Sequence, residues 1–349
     1  MGRKYFGSIM LLILLMGVTV FVIIKNNDMG AVYAAIAQTD KIWIFAGVIA
    51  SLFFVAAEGS IIWYLLQALH LKISLLQCVG WSFIGFFFSG ITPSATGGQP
   101  AQLYYMNKAG IRLADSTPVL MVVAILYKFI LAIIGILITI LWRENIQIYF
   151  AEYTWLFFLG IILNTILVAI LVWVMVTPRY AMAVAVFVEK ALVKICILKP
   201  DDFRMDKIQE AVAHYGEVVQ FFRKHTIKIV VATIMTLLQR SSLFFLTWLI
   251  YRGMGLEQES IWTIMLLQAA VYIAVDMLPL PGSAGISELV YATVFASVFM
   301  GDLLTASLCL SRSISFYLVL VFSAGIWGIS HLYYRRKKLK TYEERGNTI

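Results

Sequence analysis

The sequence predicts an all-α polytopic integral membrane protein, and three observations predict it. Of 349 residues, 61% are hydrophobic and only 13% charged, whereas soluble domains run at roughly 45–50% apolar and about 25% charged. Apolar runs long enough to cross about 30 Å of hydrocarbon at about 1.5 Å per residue recur along the whole chain. The stretches of roughly ten residues with alternating polarity that mark a membrane β-barrel dominate nowhere. A water-soluble globule is excluded.

The first apolar run, Tyr5 to Ile24, follows Arg3 and Lys4 as a signal sequence would. It is long and lacks a small-residue cleavage site at its end, so an uncleaved anchor is expected. Ala35-Ile36-Ala37 could imitate such a site but lies past Lys25 and Asp28. Six full spans are expected, at 5–24, 42–68, 117–142, 153–177, 227–251 and 303–332. Two regions resist that reading. Residues 75–91 run into Thr92-Pro93-Ser94-Ala95-Thr96-Gly97-Gly98-Gln99-Pro100, whose prolines and glycines cannot sustain a regular helix. Residues 261–280 run into Pro279-Leu280-Pro281-Gly282-Ser283-Ala284-Gly285, after which Ile286 to Met300 reads as helical again. Both are expected to be broken or re-entrant hairpins, giving eight elements if each counts as a span.

The basic residues set an orientation. If each broken element enters and leaves on one side, about 20 of the 27 lysines and arginines fall on the side of both termini. Only Lys25, Lys41, Arg143 and Arg252 fall on the other. That asymmetry predicts a multi-pass cell-membrane protein with N- and C-termini in the cytoplasm. The expected organisation is one transmembrane unit over 1–340 with a basic and polar tail at 341–349. Within it, 178–226 is a cytoplasmic segment in which Ile208, Val212, Tyr215, Val219 and Phe222 recur at helical spacing. This amphipathic helix would cover the cytoplasmic ends of the spans or lie on anionic lipid. Cys78, Cys196 and Cys309 are too few and too scattered for a disulfide or metal framework.

Charged side chains deep in hydrocarbon cost about 2.5–3.5 kcal/mol each on insertion scales, so those that persist face a bundle interior or a wet cavity. Six stand out: Glu58, Lys128, Arg240, Asp276, Glu288 and Arg312. They could neutralise one another in pairs or line a polar pathway. Gln268, Tyr272 and Asp276 repeat every four residues and form one stripe, as do Ser51 and Glu58 seven apart. Arg240 and Arg312 suit a phosphate, because guanidinium offers a rigid fork of donors and stays charged when desolvated. The two broken segments form a weak internal repeat, with Tyr104 six residues after Gly98 and Tyr291 six after Gly285. Broken helices at corresponding places in two halves point to a transporter's binding site, where freed amides and helix N-termini face an anionic substrate. No phosphate-binding loop, histidine pair or metal-ligand spacing occurs, so no catalytic residue, metal or cofactor is expected.

The stretch Phe86-Phe87-Phe88-Ser89-Gly90-Ile91-Thr92-Pro93-Ser94-Ala95-Thr96-Gly97-Gly98-Gln99-Pro100-Ala101-Gln102, with Leu280-Pro281-Gly282-Ser283-Ala284-Gly285 and Glu288, resembles the lysylphosphatidylglycerol synthase transmembrane family. The resemblance covers nearly the whole chain. It implies a flippase unit like that of the bacterial multiple peptide resistance factors, which moves aminoacylated phosphatidylglycerol to the outer leaflet and so confers antibiotic resistance. In those relatives a separate C-terminal domain makes the lipid from aminoacyl-tRNA. Here only a short tail, Tyr333 to Ile349, follows the last span, so the family-level name of phosphatidylglycerol lysyltransferase does not imply that this chain is an enzyme.

The function expected is translocation of a phospholipid between leaflets. The headgroup would be held by Pro93, Ser94, Thr96, Gly97, Gly98, Gln99, Gln102, Pro281, Gly282, Ser283 and Gly285, with Arg240 and Arg312 on phosphate. Glu58, Lys128, Asp276 and Glu288 would serve an amino group or proton coupling. Membrane phospholipids are the expected partners; a separate lipid aminoacyl synthase and a second copy of the chain are further options, and DNA is not. The alternative reading is a lysyltransferase-related enzyme, or its membrane subunit acting with a separate synthase.

Overall fold

The computed structural model describes residues 29–92, 95–177, 183, 203–278, 283 and 285–346. The expected first span at 5–24, Pro93, Ser94, Pro281 and Gly282 lie outside the described residues. The chain is an all-α polytopic membrane protein. Its order is α1 Met29–Gln38, α2 Lys41–Ala68, α3 Leu75–Gly90, α4 Gly98–Lys108, α5 Leu113–Leu141, α6 Arg143–Phe150 and α7 Thr154–Val176. There follow α8 Phe203–Lys224, α9 Thr226–Gly253, α10 Ile261–Val275, α11 Ile286–Val294, α12 Asp302–Arg312 and α13 Val319–Gly346. Among the described residues five helical stretches are long and apolar enough to cross a membrane: α2, α5, α7, α9 and Asp302–Tyr334. The last contains a π-helical turn, Ser313–Leu318, between α12 and α13.

Local chemistry explains where the helices start. Asp40 accepts from the Ile42 amide at 2.9 Å and starts α2. Ser74 and Gln77 form a reciprocal capping box at the head of α3, and the Ser260 hydroxyl accepts from the Thr263 amide at 3.1 Å to start α10. Each satisfies amides that the first helical turn leaves without partners. Pro100 falls in the first turn of α4, where its missing N–H is not needed, so that helix begins inside the stretch expected to be irregular. The helix expected to reach Met300 stops at Val294. Two short helices, α1 and α6, were not expected; neither fills a membrane-length apolar run, which is the signal that revealed the others.

The re-entrant geometry follows from α2 and α9, which pack along their length. The Asp40 amide at the start of α2 donates to the Gly253 carbonyl at the end of α9, and Lys228 at the start of α9 lies over the ring of Tyr64 near the end of α2. The pair is therefore antiparallel. The α3–α4 hairpin leaves from the Tyr64/Lys228 end and returns there, since Arg112, just after it, lies against His214 of α8. The α10–α11 hairpin leaves from the Gly253 end and returns to it, with Phe299 against Tyr251 at 5.7 Å. Two hairpins thus enter from opposite ends of the bundle.

Each hairpin has its own core. Trp81, Ile84, Phe88, Tyr105 and Met106 pack with Val119 and Leu126 of α5. Ile264, Ile273, Val290, Tyr291 and Phe295 pack with Leu131 and Phe157. The amphipathic helix covers the ends of the spans: Tyr215, Val218, Val219 and Phe222 are buried in the first of these cores, and burial pushes the Tyr215 phenol up from its ordinary pKa. His214 and Arg112 both bond Asp115 at the start of α5, at 2.6 and 2.9 Å, and fix the helix there.

Glycines let the helices approach. A Cβ on Gly160 would lie 2.1 Å from the Ile273 carbonyl oxygen, and one on Gly59 would lie 2.4 Å from the Val79 Cα. In membranes such small-residue contacts carry much of helix association. Gly160→Ala and Gly59→Ala are each expected to destabilise the protein by about 1–3 kcal/mol, because the obstacle is backbone. Gly80→Ala, with nothing within 4 Å, is the control expected to be neutral in thermal unfolding.

Candidate functional site

A cavity of about 490 Å³ lies between the two hairpins. From the first hairpin it is lined by Ser89, Thr96, Gly98, Gln99 and Gln102, and from the second by Gln268, Tyr272, Asp276, Ser283 and Ser287. Glu58, Lys128, Arg240 and Arg312 complete its polar wall, and Phe54, Leu167 and Leu171 contribute apolar surface. Five of the six membrane-embedded charges expected from the sequence therefore face one space, and the sixth, Glu288, touches it through Arg312.

The breaks share a plan. Ala95 in the first and Ser283 in the second have φ of 54° and 53°, the left-handed region that costs non-glycine residues free energy. Each break is tied back to its own first arm. The Ser89 hydroxyl donates to the Ala95 carbonyl at 3.4 Å, and the Ser283 hydroxyl donates to the Val275 carbonyl at 3.1 Å. Gly98 permits the first hairpin to close, since a Cβ there would lie 2.1 Å from Ser89 Oγ, and Gly85 leaves room for the Gln102 amide. Gly285, at φ 90°, begins α11 in a conformation that glycine adopts freely.

Two of the backbone amides expected to face a substrate are already used. The Gly97 amide donates to Thr92 Oγ1 at 2.8 Å, and the Gly285 amide donates to Glu288 Oε2 at 2.7 Å. The repeat at Tyr104 and Tyr291 is one of spacing alone, because Tyr291 is buried and Tyr104 exposed, with Tyr105 buried in its place. Ser51 is buried without a hydrogen-bond partner among the described residues, outside the cavity wall.

The charges fall into distinct states. Asp276, at the C-terminal end of α10, receives hydrogen bonds from Tyr127 and from Lys128, the latter an ion pair. A carboxylate at a helix C-terminus is opposed by the helix dipole, so this pairing stabilises it there. Glu288 accepts from Arg312 Nε at 2.6 Å while its other oxygen receives the Gly285 amide and, at 2.9 Å, the Ser287 hydroxyl. It is at once the cap of α11 and the counter-ion of Arg312, which also donates to Ser287 at 2.6 Å.

Arg240 and Glu58 differ from these. Among the described residues Arg240 forms no ion pair. Its guanidinium lies on Tyr127 at 3.5 Å and faces Phe54 at 4.6 Å, and its Nε is buried without a partner. Glu58 accepts from the Gln102 amide at 2.7 Å and, among the described residues, has no cation in contact.

Tyr127 and Ser287 escaped the sequence reading. A tyrosine in an apolar helix and a serine in a small-residue stretch look like packing; their one signal was adjacency to Lys128 and Glu288. Among the described residues no cluster of three or more metal-ligating side chains occurs.

No curated protein matches the sequence in a direct search. The model of the lysylphosphatidylglycerol synthase TM region matches residues 8–323, a range that takes in both hairpins and every charge lining the cavity. The chain belongs to the lysylphosphatidylglycerol synthase TM region family.

Proposed function

We propose that this protein is a phospholipid transporter that moves a headgroup between leaflets through the cavity while the acyl chains stay in lipid. The observation that carries the reading is the convergence of two oppositely entering broken helices on one cavity lined by Glu58, Lys128, Arg240, Asp276 and Arg312. Buried charge on that scale is costly in a membrane and marks polar pathways. Paired broken helices are the arrangement in which transporters hold substrates at the midplane. Arg240 takes the phosphate. The hairpins, which leave from opposite ends, alternate in admitting the headgroup from each side. The protein resides in the cell membrane with both termini cytoplasmic, the side to which the basic residues sort.

The test is leaflet exchange of acyl-chain-labelled phospholipids in liposomes that contain only the purified protein. Exchange well above that of protein-free liposomes is expected. No exchange of any phospholipid, with imposed proton gradients included, would turn the reading toward a membrane component that depends on a separate synthase.

A further inference from the structure

The cavity's charges can be sorted by whether the protein has already neutralised them. Asp276 is neutralised by Lys128 and Glu288 by Arg312. Two groups of opposite sign remain. Arg240 is 5% exposed, with a buried Nε that has no hydrogen-bond partner. Glu58 is held by an uncharged amide, Gln102, instead of a cation. The two line the same cavity, yet among the described residues they form no ion pair. Separated buried charges of this kind call for a ligand that satisfies both, because an uncompensated charge in a low-dielectric site is strongly disfavoured.

Resting on the transport reading above, we infer that the cavity selects a zwitterionic phospholipid headgroup with one phosphodiester and one primary ammonium, the phosphate on Arg240 and the ammonium on Glu58. Arg240 suits the phosphate: its guanidinium carbon lies 3.5 Å from the Tyr127 ring centre and 4.6 Å from that of Phe54, contacts that limit the freedom of its donor fork. Glu58 is orientated by Gln102, for which Gly85 leaves the space. An ethanolamine-type headgroup carries one charge of each sign on a single short group, the complement of Arg240 and Glu58. A headgroup with no ammonium leaves Glu58 unmatched. A lysyl ester, with two ammonium groups, needs a second carboxylate, and Asp276 and Glu288 are both occupied. The discrimination thus comes as much from what the protein has neutralised as from what it leaves open.

The test measures equilibrium binding of acyl-chain-labelled phosphatidylethanolamine, phosphatidylglycerol and lysyl-phosphatidylglycerol to the full chain in a nonionic detergent, with leaflet exchange of the same lipids recorded in liposomes. Wild type is expected to bind phosphatidylethanolamine about tenfold more tightly than either other lipid, the size of one lost charge-assisted contact. In Glu58→Gln that preference over phosphatidylglycerol is expected to vanish. In Lys128→Gln, which uncovers Asp276, lysyl-phosphatidylglycerol is expected to gain relative to phosphatidylethanolamine. Tightest binding of either other lipid to wild type overturns the inference whatever the variants do, as does a preference that survives in well-folded Glu58→Gln. Soluble glycerophosphoethanolamine is expected to compete only at far higher concentration; equal competition would make the ligand a free phosphodiester and overturn the lipid assignment. The expected binding order without exchange in liposomes would overturn transport and leave the headgroup assignment standing. Exchange that favours the lysyl lipid would do the reverse.

Discussion

Arg240→Gln is expected to lower lipid exchange by about a hundredfold, the consequence of removing a buried charged contact worth roughly 2–5 kcal/mol when about 1.4 kcal/mol is a factor of ten. The same change is expected to leave thermal stability unchanged or slightly raised. Arg240 has no counter-ion in contact among the described residues and a buried Nε without a partner, so its burial carries a cost. Glutamine keeps some of the stem that packs beside Phe54 and Tyr127 and removes the buried charge. Loss of function with retained stability is the mark of a residue kept for its ligand. A parallel loss of both would instead make Arg240 a structural member of the bundle. Exchange in liposomes and thermal unfolding in detergent, measured on the same preparation, distinguish the two.

The second large effect is structural. Glu288→Ala is expected to destabilise the protein by about 3–5 kcal/mol, the range for removing one partner of a buried ion pair. Its carboxylate neutralises Arg312 through one oxygen and receives the Gly285 amide and the Ser287 hydroxyl on the other. Truncation therefore strands a cation, uncaps α11 and releases the break of the second hairpin together. The pair Glu288→Leu with Arg312→Met is expected to recover most of that loss, since replacing both charges by apolar groups removes the desolvation penalty along with the attraction. Denaturant or thermal unfolding of the single and double variants reads this directly. A single variant as stable as wild type would mean that Arg312 finds another partner.

Much of this molecule was legible before its structure. The spans at 42–68, 117–142, 153–177 and 227–251 lie within a few residues of α2, α5, α7 and α9, because uninterrupted apolar length is the one signal a bilayer makes unambiguous. The two hairpins were visible for the complementary reason: Pro and Gly clusters interrupt apolar runs too short to finish a span. The six charged residues were conspicuous because hydrocarbon penalises them so heavily. What one sequence cannot convey is pairing. Nothing in the spacing of Lys128 and Asp276, or of Glu288 and Arg312, says that these are partners, nor that Arg240 and Glu58 are left over. Those facts arise from contacts between residues as far apart in sequence as α5 and α10. Tyr127 was hidden for the same reason, as its role exists only once Asp276 is brought against it. The helices α1 and α6 were missed because at 10 and 8 residues they are too short to show membrane length or to sustain an apolar period over several turns.

The most direct test of the central claim is whether lipids pass through the cavity itself. Ala124 of α5 lines it and has no side-chain hydrogen bond to lose, so Ala124→Trp places an indole in the path. Leaflet exchange of acyl-chain-labelled phosphatidylethanolamine in liposomes should be rapid with the wild-type protein and fall close to the protein-free rate with Ala124→Trp at unchanged thermal stability. Exchange that proceeds undiminished past the indole, or no exchange by the wild-type protein of any phospholipid, would contradict the account.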